Sequence, residues 1–277
     1  MEKHAKGAGP LRKAAVSGYF YPKDAPGLNR LLGSLLDPKS EKKKARAVVS
    51  PHAGYVYSGS VAGAVFSSVE LPDLFVILAP SHRPIRPLFA AMNDGLWETP
   101  LGSVPVSVEL AEAILAESKS VVSEAAAHAG EHSLEVQLPF IQFLRPDFSF
   151  VPIAVSPRAT YRDLEELGGA VASGIRRTGR EALIVASSDM SHYVSKAEAR
   201  VQDFKAIKKI LALDPRGLFD IVQADDISMC GFQPVTAALV AARILGAEKA
   251  DLIAYATSGD TTGDDREVVG YAGLRIL

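Results

Sequence analysis

Imidazole nitrogens bind metal ions and move protons near neutral pH, and three of the six histidines in this 277-residue sequence follow closely on short apolar runs. Ala47 to Ser50 (AVVS) leads into Pro51-His52-Ala53-Gly54, Leu74 to Ala79 (LFVILA) into Pro80-Ser81-His82, and Ala182 to Ser187 (ALIVAS) into Ser188-Asp189-Met190-Ser191-His192. A lone histidine in such a place is more often turn chemistry than a ligand. Three at equivalent positions point instead to one cleft able to hold a metal ion. Asp189 is then either a direct ligand or a carboxylate that orients an imidazole.

Two further segments carry chemistry. Cys230, the only cysteine, stands in Ser228-Met229-Cys230-Gly231-Phe232-Gln233-Pro234. Pro234 marks the first turn of a helix, whose positive end favours the thiolate, the form that binds metals. The plainer reading is a buried cysteine serving as a small hydrophobe. Gly130-Glu131-His132-Ser133-Leu134-Glu135 reads as a loop entering a helix, with Glu131 and Glu135 about one turn apart and His132 between them. Such a group can supply acid-base chemistry or orient a substrate, or Ser133 can simply cap the helix.

The elements that must position these residues follow from the apolar pattern. The three runs are continuous rather than alternating, as in strands buried on both faces. Helical patterns occupy Gly59 to Val69, Val108 to Glu117, Leu134 to Leu144, Arg162 to Arg177, Ala197 to Leu213 and Gln233 to Leu245. Further strands are expected at Phe148 to Ala154, Asp251 to Thr257 and Val268 to Ile276, the last two as an antiparallel pair. This alternation predicts a single-domain three-layer α/β/α sandwich with a mixed, mostly parallel central sheet. Ligands bind such sheets outside the carboxyl ends of the strands, where all three histidine segments would meet. Residues 13–277 form that domain, behind a polar N-terminal tail, residues 1–12, expected to be disordered.

Composition narrows the function classes. Hydrophobic residues make up 48% of the chain, enough for a large core. The 30 basic residues nearly balance the 32 acidic ones, which argues against a nucleic-acid partner. The basic run Lys39 to Arg46 reads as a solvated loop. No signal peptide or membrane span is visible, and a single cysteine excludes an intrachain disulfide, so a cytoplasmic protein is expected.

SPHAGYVYSG (Ser50 to Gly59), APSH (Ala79 to His82), GEHSLEVQLPF (Gly130 to Phe140), SSDMSHY (Ser187 to Tyr193), CGFQPV (Cys230 to Val235) and TSGD…VVGYAG (Thr257 to Asp260, Val268 to Gly273) together resemble the Memo family over nearly the whole chain. The resemblance implies a fold like that of the class III extradiol dioxygenases. It also implies a metal held by His52, His82 and Cys230, with Asp189 and His192 lining the same cleft and His132 nearby. Iron is the foremost candidate, with copper or zinc as alternatives, since a cysteine replaces the dioxygenase carboxylate and adds a soft ligand. A small-molecule or peptide ligand is implied, and in prokaryotes a radical-SAM protein of the same system as partner. Arg83 follows His82 where some relatives have a second histidine, which favours an anionic substrate.

Three functions compete on these residues. The first is a metal-dependent redox enzyme in which His192, Asp189 and His132 handle protons and substrate. The second is a non-catalytic adaptor that keeps the cleft as a binding groove. The third, ranked last, is a metal-free thiol hydrolase using Cys230, His192 and Asp189.

Overall fold

Continuous apolar strands require cover on both faces, and the computed structural model, which describes residues 9–277, supplies it. Four parallel strands form the middle of the sheet in the spatial order Ala47–Ser50, Leu183–Ser187, Leu74–Pro80, Ser149–Val155. Every residue of Leu74–Pro80 is buried. Leu74, Val76 and Leu78 enter one core, while Phe75, Ile77 and Ala79 enter the other. Each of the larger of these side chains contributes on the order of 1.5–3 kcal/mol by leaving water.

The first core is closed by helices Val108–Glu117, Tyr161–Thr178, Lys196–Leu211, Pro215–Ala224 and Phe232–Ile244. Ala25–Leu35, Tyr55–Ser67 and Leu138–Leu144 close the second. The result is the expected three-layer α/β/α sandwich. Antiparallel strands make the sheet mixed: Val268–Ile276 pairs with both Ala47–Ser50 and Ala250–Thr257, and Phe89–Ala91 pairs with Ser149–Val155. A small second sheet joins Leu11–Arg12, Leu96–Thr99 and Gly102–Pro105. No helix among the described residues is long and apolar enough to cross a membrane.

Local sequence sets the helix ends. Thr160 and Asp163 form a reciprocal capping box before Tyr161–Thr178, which stops at Gly179 in the left-handed conformation. Asp24, Ser107, Ser195 and Asp214 each accept a first-turn N–H in the same way.

Several expectations need correcting. The tail does not extend to residue 12, because Leu11–Arg12 pairs with Leu96 and Trp97 and Arg12 is buried; residues 1–8 of that tail lie outside the described residues. The helix expected from Leu134 begins only at Leu138, preceded by a 3-10 turn at Glu135–Gln137. Pro139 has no N–H to give the Glu135 carbonyl, so the α-helical bond there cannot form. Ser133 caps nothing, since its hydroxyl donates to the Pro80 carbonyl at 2.9 Å. The strands Phe89–Ala91, Leu96–Thr99, Gly102–Pro105 and Val121–Ser123 and the helices Ala25–Leu35 and Pro215–Ala224 went unpredicted.

Candidate metal centre

The carboxyl ends of the central strands deliver the candidate residues to one edge of the sheet. His52 lies two residues beyond Ala47–Ser50 and His82 two beyond Leu74–Pro80. The strand between them, Leu183–Ser187, ends in Ser187 and feeds Asp189. His132 arrives from the loop ahead of Glu135–Gln137. One ligand atom from each of His52, His82 and His132 can be chosen so that all lie within 4.8 Å of one another. His52 and His82 meet edge to face at 5.2 Å between ring centroids, and His82 stacks on His132 at 4.6 Å. His52 forms the buried floor, while His82 and His132 are partly exposed.

Hydrogen-bond accounting sets the ring protons. The Ser187 hydroxyl donates to the Ser133 carbonyl at 2.7 Å, which spends its only proton. Its oxygen, 2.9 Å from His52 Nδ1 and 2.9 Å from Gln137 Nε2, must therefore accept from both. His52 then carries its proton on Nδ1 and leaves the Nε2 lone pair free. The Glu131 carboxylate accepts from His82 Nδ1 at 3.0 Å and from the His82 backbone N–H at 2.7 Å, so His82 likewise presents Nε2.

Glu131 also accepts the backbone N–H groups of His132 and Ser133, each at 2.9 Å. Burial alone would raise its carboxyl, but the His82 ring and these N–H groups outweigh burial and hold it far below the usual carboxylate range. It is a fixed anion that orients imidazoles. Glu135, its expected companion, faces away from the cleft: it pairs with Arg12 and Tyr21 and accepts the N–H groups of Ala15 and Val16. Burial, reinforced by its imidazole neighbours, holds His52 neutral well below the ordinary histidine value. Burial likewise lowers His132, against the opposing charge of Glu131.

Asp189 accepts the His52 backbone N–H at 2.8 Å, and its other oxygen lies 3.9 Å from His52 Nε2. Burial, opposed by that N–H, raises it to about 6. Cys230 Sγ lies 3.2 Å from His52 Nε2 and accepts the Asp189 N–H at 3.3 Å. It touches one imidazole of the cluster, whereas the compact donor set is three imidazoles. The expected thiolate is not favoured here. Burial and the Asp189 charge push the thiol up, outweighing the helix end, and the S–H faces His52 Nε2. Gly231 makes this approach feasible, since a Cβ there would stand 2.3 Å from the Ser187 carbonyl oxygen.

His192 sits at the edge of the cleft. Its Nδ1 donates to the Ser228 carbonyl at 2.8 Å, leaving Nε2 free, and its backbone N–H donates to the Ser228 hydroxyl at 2.8 Å. The loop that carries it is tied to the helix Lys196–Leu211 by Asp203, a buried carboxylate that accepts from the Ser191 N–H and the Tyr255 hydroxyl, both at 2.8 Å. Asp203, Ser187, Gln137 and Arg12 were not anticipated. Only Ser187, ending a continuous apolar strand, left a signal in its position.

The donor set fits a first-row transition ion: three imidazoles, two with Nδ1 already committed, and a thiol alongside. The ligand atoms lie within 4.8 Å of one another, wider than the roughly 3.3 Å between nitrogens each about 2 Å from one tetrahedral ion, so the rings would have to close in on binding.

The chain is 40% identical to a MEMO1 family protein of Methanothermobacter thermautotrophicus, covering 95% of this chain and 99% of the relative. It is 43% identical to one from Pyrobaculum arsenaticum, covering 95% and 98%, and 40% identical to one from Aquifex aeolicus, covering 96% and 99%. The crystal structure of an uncharacterized Escherichia coli K12 protein shares the fold with a TM-score of 0.54 at 15% identity, covering 84% of this chain and all of that one. The family model described as Memo-like protein matches residues 12–275, and the chain belongs to that family.

Proposed function

We propose that the chain is a metal-dependent oxidoreductase whose single ion is held by His52, His82 and His132, with Cys230 as an additional soft donor beside His52. The observation that carries this reading is the meeting of three imidazole ligand atoms within 4.8 Å. Imidazole suits iron, copper and zinc alike, and the neighbouring thiol is a soft donor that copper and zinc also accept, so the redox reading draws on the resemblance to the class III extradiol dioxygenases. Such an ion supplies Lewis acidity and electron transfer.

The chain's own residues divide the remaining work. Glu131 and Ser187 hold two imidazoles in the ligating tautomer. His192, with Nε2 free at the rim, can accept or donate a substrate proton. Asp189, raised to about 6, sits beside the floor of the cleft as a second proton carrier. Arg83 is exposed, forms no ion pair among the described residues and lies against Gly130, next to Glu131 and His132. Its guanidinium would meet a carboxylate or phosphate on the substrate.

The test is metal analysis of protein purified without added metal, followed by reconstitution with iron(II) or copper(II) and electron paramagnetic resonance. Near-stoichiometric ion that His82→Ala abolishes and Cys230→Ser only weakens is the expected result. Metal content unchanged by both substitutions overturns the site. The adaptor reading draws on exposed aromatics near the cleft segments, with Tyr19 at 89% and Tyr193 at 75% exposure. Ligand binding that survives chelation would favour it. The metal-free thiol hydrolase ranks last, since burial and the Asp189 charge push the Cys230 thiol up.

A further inference from the structure

Arg12 is buried, and its guanidinium is engaged along every edge. Nε donates to the His128 carbonyl at 3.0 Å, one terminal nitrogen to the Glu131 carbonyl at 2.6 Å, and the other pairs with the Glu135 carboxylate. The plane lies over the Trp97 ring, 4.3 Å from its centroid. These three acceptors bracket residues 128–135. Inside that bracket are the Glu131 carboxylate, which orients His82, and His132 itself. Glu135 in turn gathers the N–H groups of Ala15 and Val16 and the hydroxyl of Tyr21. From the same N-terminal segment, Phe20 packs on the His132 ring at 4.8 Å.

A buried ion pair is a costly way to stabilise a fold, since well-packed apolar groups often do as well. What a guanidinium provides is a rigid planar fork that fixes several oxygen acceptors relative to one another. Here the three acceptors belong to one irregular stretch between two short 3-10 turns, Ala125–His128 and Glu135–Gln137. Nothing periodic holds its interior in place.

We infer that Arg12 is a positioning residue for the metal centre: it sets the 128–135 segment so that His132 and Glu131 meet His52 and His82. The inference rests on the metal-site reading above. It also makes the N-terminal segment part of the site, although it lies more than a hundred residues from the loop it positions.

The test uses cobalt(II) bound to the full chain, with its visible absorption bands reporting the ligand set and a competing chelator reporting affinity. Wild-type protein should give a saturable, near-stoichiometric spectrum that His82→Ala disrupts; failure here sinks the metal-site reading and not the role of Arg12 alone. Arg12→Met, checked for native circular dichroism and a single thermal transition, should bind cobalt about 10–100-fold more weakly. Its spectrum should match that of His132→Ala, a change that mere loss of stability would not produce. Arg12→Lys keeps the charge without the fork and should fail to restore the wild-type spectrum. A wild-type spectrum and affinity in Arg12→Met, or in Arg12→Lys where the methionine variant does not fold, overturns the inference. So does unfolding of both variants, since Arg12 would then be a determinant of folding rather than of the site.

Discussion

Glu131 holds His82 twice, through the ring Nδ1 at 3.0 Å and the backbone N–H at 2.7 Å, so one carboxylate fixes both the position and the tautomer of one imidazole. Glu131→Gln keeps the shape and an oxygen acceptor for the ring and for the His132 and Ser133 N–H groups, but sets its NH2 against the His82 backbone N–H and removes the negative charge that holds the imidazole. Metal affinity should fall about 10–100-fold, read by chelator competition, while the thermal midpoint moves far less. Equal affinity in the variant would remove Glu131 from the centre.

Ser187 plays the corresponding part for His52. Ser187→Ala strips the acceptor from His52 Nδ1 and from Gln137 Nε2 and the donor from the Ser133 carbonyl, all in a buried place. Stability should drop by roughly 1–3 kcal/mol in urea unfolding, because buried polar groups lose their partners. Nitrogen NMR of the His52 ring should show the Nδ1–H form in wild type and a mixture of tautomers in the variant.

These two contacts mark the limit of what the residues alone disclose. His52 and His82 were readable because each follows a continuous apolar strand, and the periodicity of such strands survives in sequence. His132 was readable as an acid-base candidate beside the cleft, but not as a member of the imidazole cluster, since an irregular loop placed by distant contacts leaves no periodic trace. Cys230 misled in one respect. Helix position predicts the sign of a local field, whereas burial depends on segments such as Ser187–Asp189 that only the folded chain brings near. The short strands between Phe89 and Ser123 have three or four residues each, too few for an alternation to stand out.

Gly231→Ala should damage both fold and site. The added methyl would lie 2.3 Å from the Ser187 carbonyl oxygen and 2.6 Å from Ser188 Cβ, in a region with no flexible end to move aside. A loss of roughly 1–3 kcal/mol is expected from overpacking. Cobalt affinity should fall with it, because Ser187 is displaced; an unperturbed thermal midpoint would contradict the contact.

Stability should weaken in mild acid through His128. This ring is buried, and burial, with the charge of Arg12 beside it, lowers it to about 4 from an ordinary 6.5, against the opposing charge of Glu131. The unfolded chain takes up the proton near 6.5 and the folded chain only near 4, so stability is full above that upper value and declines as pH falls between them. At about 1.4 kcal/mol per unit the loss approaches ~3 kcal/mol. His128→Leu should flatten the curve between pH 4 and 6.5 in urea titrations, and an unchanged slope would count against it.

The strand Leu183–Ser187 lies between the two strands that deliver His52 and His82, which never pair with each other. A chain leaving the ribosome therefore carries all three imidazoles well before the wedge that sets their spacing has been made. Until residues 183–187 insert, an ion meets only mobile side chains and gains little by staying. On the metal-site reading, ion capture therefore waits for that strand, and a nascent chain halted before it should let the metal pass by.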